Sequence, residues 1–105
     1  MEKHLIDFDT YEWVKPMTGA KYKAFINENI KIRIVEFSEG LVEPDWCKKG
    51  HSGFVLEGEC NINFNGVIEH FKKGDIIHIP TSEEDKHMVI MDKGSWVQML
   101  LFEQI

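Results

Sequence analysis

Turn-forming residues punctuate this chain at short, regular intervals. They cluster at positions 16–19, 27–29, 39–40, 48–50, 65–66, 72–74, 80–85 and 92–94. Strand-like runs lie between them, at 30–37, 53–56, 61–64, 75–79, 88–91 and 96–102. Many short strands at a spacing of about 8–12 residues predict an all-β sandwich or barrel. Asn65 and Gly66 give the best single hairpin signal, because this dipeptide suits the tight turn that matches strand twist.

Alternation within the runs indicates how they pack. Ile30, Ile32 and Ile34 oppose Lys31 and Arg33, and Ile62 and Phe64 oppose Asn61, Asn63 and Asn65. One face of each strand is therefore expected to be buried, and the other wet or lining a polar cavity. The run 96–102, Trp-Val-Gln-Met-Leu-Leu-Phe, is apolar on both faces. Such a strand belongs at the centre of a sheet or beneath a partner subunit. Residues 1–29 are less regular and read as an N-terminal arm with edge strands, anchored by Trp13, ahead of a barrel at 30–105. The 105 residues suffice for one domain with a modest core, without repeat, linker or low-complexity tract.

Composition narrows the partners. The formal charge is −6 and Arg33 is the one arginine, so the basic stripe that phosphate backbones require is missing and no nucleic acid is expected. No apolar run is long enough to span a membrane, and no basic-then-apolar leader opens the chain. Two cysteines, Cys47 and Cys60, cannot make a disulfide framework. A reducing, cytoplasmic setting with free thiols is the expectation.

The chemistry concentrates between Gly50 and His87. His51, Gly53, Val55 and Glu57 share parity, and on one strand they would point to one face. Asp85 and His87 likewise stand two residues apart. Two distant segments thus offer imidazole and carboxylate groups that a closed sheet could bring around a divalent metal.

These segments resemble the motifs of the cupin superfamily, in particular its small single-domain members. In the first motif, His51 matches the first histidine and Glu57 the glutamate, while Gly53 stands where the second histidine belongs. In the second, Gly74 and Pro80 match and Ser82 replaces a glycine. Asp85 occupies the metal-histidine position by strict count, and His87 lies two residues beyond it. The resemblance covers roughly 30–103 and implies a double-stranded β-helix, the jelly-roll barrel. It also implies a homodimer paired through its sheets, and activities such as dioxygenase, isomerase or decarboxylase on small oxygenated acids.

The candidate ligands are therefore His51, Glu57 and His87, an open two-histidine, one-carboxylate set suited to iron, manganese, nickel or zinc. Asp85 is a further candidate, either as ligand or as a group holding a ligand ring. Cys47, four residues before His51, could fill the place left by Gly53, or simply pack as a small apolar residue. His78 and Arg33 are candidate pocket residues: His78 as acid, base or hydrogen-bond donor, Arg33 as a clamp for a substrate carboxylate. Each also has a plainer reading, a satisfied core histidine and an exposed arginine. His4 and His70 belong to no constellation. The expected function is binding of a metal and of a small organic molecule. The alternatives are a metal-free binding or sensing module and a structural or regulatory dimer.

Overall fold

The computed structural model describes residues 4–105, and every structural statement below refers to these. A single 3-10 turn, Phe8–Thr10, precedes eight strands: β1 Val14–Met17, β2 Ala20–Asn27, β3 Ile30–Ser38, β4 His51–Phe64, β5 Val67–Lys72, β6 Ile76–Ile79, β7 His87–Ile90 and β8 Trp96–Gln104. All pairings are antiparallel. The principal order is β1-β2-β3-β8-β4-β5, with β6 and β7 also paired to β4. Among the described residues no helix is long and apolar enough to cross a membrane.

Strand β4 organises the barrel. Its first half pairs with β8 and β6, its second half with β5 and β7, so one strand serves both walls. The register against β8 shifts between Val55 and Glu57, and Gly58 follows at φ 76°. This irregularity reverses which parity faces inward. Gly53 and Val55 are buried before it, Cys60 and Ile62 after it. The β4–β5 turn at Asn65 (φ 49°) and Gly66 (φ 105°) has the two positive φ values of the tight hairpin expected there.

The core joins Val35, Val55, Ile62, Ile77, Val97, Met99 and Leu101 from both walls. Each such side chain contributes roughly 1.5–3 kcal/mol when taken from water. Strand β8 is central, between β3 and β4. Val97, Met99, Leu101 and Glu103 point inward, whereas Trp96 (41 % exposed) and Phe102 (39 %) lie on the outer surface.

The face assignment of β3 is settled by pairing rather than by hydropathy. Its inward side carries Arg33, Val35 and Phe37, opposite Leu101, Met99 and Val97. Ile30, Ile32 and Ile34 lie on the outer face, opposite Gln104, Phe102 and Leu100. The plainer reading of Arg33 as an exposed arginine is thus replaced by an inward one, because a buried carboxylate on β8 waits for it. In the N-terminal region, β2 pairs with β3 along its whole length and β1 forms the edge. Residues 1–3 of the segment read as an arm lie outside the description.

Candidate metal centre

Between β3 and β4 the chain loses regular structure, but Cys47 is pinned there by a backbone bridge. Its N–H donates to the carbonyl of His87 at 2.9 Å, and the N–H of His87 donates back at 2.9 Å. Directly opposed residues of an antiparallel pair present their side chains to one face. Sγ of Cys47 is therefore brought beside the imidazole of His87. His51 opens β4 next to both. Its Nε2 lies 3.9 Å from Sγ of Cys47, and its ring meets that of His87 edge-on at 5.3 Å between centroids. One donor atom from each of Cys47, His51 and His87 lies within 4.8 Å of the others.

Both rings are oriented from behind. Nδ1–H of His87 donates to the carbonyl of Asp85 at 3.1 Å, leaving Nε2 free. Nδ1 of His51 faces Oε1 of Glu103 at 3.1 Å. That contact has the distance of an ion pair, but its alignment is too poor for a hydrogen bond, so Nδ1 is a buried polar atom without an in-line partner. Glu103 is 4 % exposed and is held by Arg33, whose Nε donates to Oε1 at 2.7 Å while its terminal nitrogen contacts the same oxygen. Lys49 approaches the other oxygen at 3.7 Å.

The electrostatics follow from this packing. Burial opposes ionisation of Glu103, but His51 and Arg33 overcome it and hold the carboxyl at about 2. Hydrogen bonding to His51 and then to His87 draws the Cys47 thiol down to about 5. Burial disfavours charging His51 and His87, yet the facing Cys47 sulfur raises both, helped at His51 by Glu103 and at His87 by the Asp85 carbonyl. The cluster thus stabilises a thiolate, the form in which cysteine is a nucleophile and a metal ligand.

A cavity of about 200 Å³ opens on this group. Ile62, Ile77, Ile79, Val89, Met99 and Leu101 form its apolar walls, and Arg33, Phe37 and Glu43 complete its lining. Burial is the main influence on Glu43 and raises its carboxyl above the ordinary range. Its side chain accepts one long hydrogen bond, 3.4 Å, from the Val89 N–H.

The structure brings together His51, His87 and Cys47, and puts Arg33 in the cavity wall. It does not bring the other candidates. Glu57 lies on the outside, half exposed, and pairs with Lys73 at 3.1 Å. Its shared parity with His51 assumed an unbroken strand, and the shift after Val55 turns it outward. The Asp85 carboxylate accepts from Oγ of Ser82 at 2.6 Å, so this residue reaches the cluster only through its carbonyl. His78 is exposed on the outer face, 2.8 Å from Oγ of Ser52, because β6 turns Ile77 and Ile79 inward. It lines a separate pocket with Phe64, Glu69, Phe71 and Asp85, not the cavity beside Cys47, His51 and His87. Two acidic residues escaped the sequence reading. Glu103 shares parity with Val97, Met99 and Leu101, and extending that alternation by one step would have found it. Glu43 sits in an irregular segment with no local signal.

No family model matches this sequence, and no curated protein is similar to it. Solved structures are similar to the fold. The polyketide cyclase RemF from Streptomyces resistomycificus superposes with a TM-score of 0.79 at 18 % identity, over 99 % of this chain and 80 % of that one. An RmlC-like cupin from Shewanella frigidimarina gives 0.76 at 19 % identity, over 98 % and 91 %. KdgF from Halomonas sp. gives 0.73 at 17 % identity, over 100 % and 96 %. Identities this low speak for architecture alone, and what they establish is that the chain has the cupin fold, a double-stranded β-helix.

Proposed function

We propose that this protein holds one divalent metal ion through Cys47 Sγ, His51 Nε2 and His87 Nε2, and uses it to bind or transform a small oxygenated organic molecule. One observation carries the reading: three donors, from the β3–β4 segment, β4 and β7, converge within 4.8 Å beside a largely apolar cavity. The spacing suits a metal. Zinc-type bond lengths at a tetrahedral angle separate sulfur from nitrogen by about 3.6 Å, against 3.9 Å between Cys47 and His51. A small inward movement completes the set. Among iron, manganese, nickel and zinc, a thiolate with two imidazoles favours zinc.

Such an ion supplies Lewis acidity toward a carbonyl or hydroxyl oxygen. The chain's own residues do the rest. Glu103 and the Asp85 carbonyl orient the two rings, Arg33 neutralises Glu103, and the apolar walls exclude water. RemF is called a polyketide cyclase, and another cupin of this fold, from Silicibacter pomeroyi, a sugar phosphate isomerase. Both names support small-molecule chemistry in the barrel.

Elemental analysis of untagged protein tests the proposal. About one metal per chain, lost in His51→Ala and His87→Ala, is expected. A parent that stays metal-free after reconstitution, with a melting temperature indifferent to chelator, would refute it and leave a metal-free binding module.

The same reading includes a homodimer formed over the outer face of β3, β8 and β4. That face presents Ile32, Ile34, Phe54 and Leu100, with Phe102 39 % exposed, and continues onto β6 at Ile76, 77 % exposed. Phe102→Glu should yield monomers in sedimentation equilibrium, and a parent that is already monomeric would end this part of the proposal.

A further inference from the structure

A second cavity, about 230 Å³, abuts the first. The two share a wall made by Arg33, Phe37 and Glu43. Their lining decides which oxygenated molecules fit. The inner chamber is mostly aliphatic, and the outer one adds Pro16, Met17, Tyr22, Leu41 and Pro44. An apolar cavity of about 150 Å³ accommodates a benzene ring, so the inner chamber holds one six-membered ring with substituents. Anions are poorly served. Arg33 is committed to Glu103 through two of its nitrogens, and its guanidinium lies 5.5 Å from the Tyr22 ring centre. Lys21, on the outer rim, is 3.6 Å from Glu36. Glu43 and Asp45 line the outer chamber as well and repel negative charge. Glu43 has spare acceptor capacity, since its one hydrogen bond is long.

We propose that the paired cavities select a carbon-rich, uncharged ring compound bearing a hydroxyl or enol, with Glu43 accepting from that hydroxyl, and reject phosphorylated or carboxylated ligands. This deepens the metal-centre reading by naming its substrate class. It rests on that reading only for which end of the ligand faces Cys47, His51 and His87. A buried carboxylate that accepts from a hydroxyl discriminates strongly, because a ligand lacking the donor leaves it unpaired and an anionic ligand confronts it with like charge.

The test compares 2-naphthol, 2-naphthoate and mannose 6-phosphate by isothermal titration calorimetry on the unaltered protein, once zinc-loaded and once chelator-treated. Binding of 2-naphthol at least tenfold tighter than 2-naphthoate, with no measurable mannose 6-phosphate binding, is expected. Glu43→Gln should narrow the naphthol-to-naphthoate ratio at least threefold. Its conservative shape on an irregular segment keeps the fold, and the probe comparison on the parent stands without it. Equal or tighter binding of either anion, or no binding of 2-naphthol to either form, overturns the proposal. Naphthol selectivity in protein that takes up no zinc upholds this proposal while refuting the metal centre.

Discussion

Gly53 occupies the place where a second metal histidine would stand in a cupin, and the packing explains why no side chain is there. A Cβ built on Gly53 would lie 1.9 Å from the carbonyl oxygen of Leu100, 2.9 Å from its carbon and 3.1 Å from Cα of Leu101. Ordinary contact begins near 3.4 Å, so the oxygen must retreat by the difference between 3.4 and 1.9, or 1.5 Å. The obstacle is backbone of β8, paired here with β4 through Gly53↔Leu101 and Phe54↔Leu100. A ladder bond near 2.9 Å stretched by that much is no longer a hydrogen bond. Overpacking costs about 1–3 kcal/mol, and each buried bond left open adds about 1–3 kcal/mol. Gly53→Ala should therefore lose roughly 3–5 kcal/mol, a fall in Tm of at least about 12 °C for a domain of this size. Urea unfolding and calorimetry measure both. Gly53→His should fare no better and should not raise metal content. An alanine variant within about 1 kcal/mol of the parent would refute the reasoning, since β4 and β8 would then have room that the packing denies.

Other consequences follow from the same packing. Glu103→Ala strands the Arg33 guanidinium and should cost roughly 3–5 kcal/mol, whereas Arg33→Met with Glu103→Leu should recover most of it; denaturant midpoints compare the three. Burial pushes the Cys60 thiol up to about 11 from an ordinary 9.0. Between these pH values the unfolded chain releases the proton that the folded chain keeps, so stability is intact below about pH 9 and falls as pH rises toward 11, by up to about 2.7 kcal/mol. Urea titrations across that range should show the loss in the parent and a flatter profile in Cys60→Ala. Glu57→Gln, which alters an exposed pair with Lys73, should leave metal content unchanged and stability within about 1 kcal/mol. A loss of metal in that variant would return Glu57 to the ligand set.

Turn spacing and alternation are local properties, and they were enough to predict an all-β sandwich or barrel and the Asn65–Gly66 hairpin. The resemblance to cupins chose the barrel, and the doubly apolar last strand left a central place or a partner subunit open, of which the structure shows the first. His51 and His87 were legible as a pair of imidazoles near the ends of strands. What the sequence could not reveal is which face a strand turns inward once its parity is interrupted. The shift after Val55 sends Glu57 outward, and no residue type between Val55 and Gly58 announces it unambiguously. The isoleucines of β3 point out and Arg33 points in because Glu103, seventy residues away, supplies a buried partner. Cys47 joins the two histidines through a backbone bridge to His87, a pairing between segments forty residues apart. Hydropathy is a one-residue quantity, whereas register and closure are set by pairs distant in the chain. The all-β class could be read from the first, and the arrangement of the candidate site follows from the second.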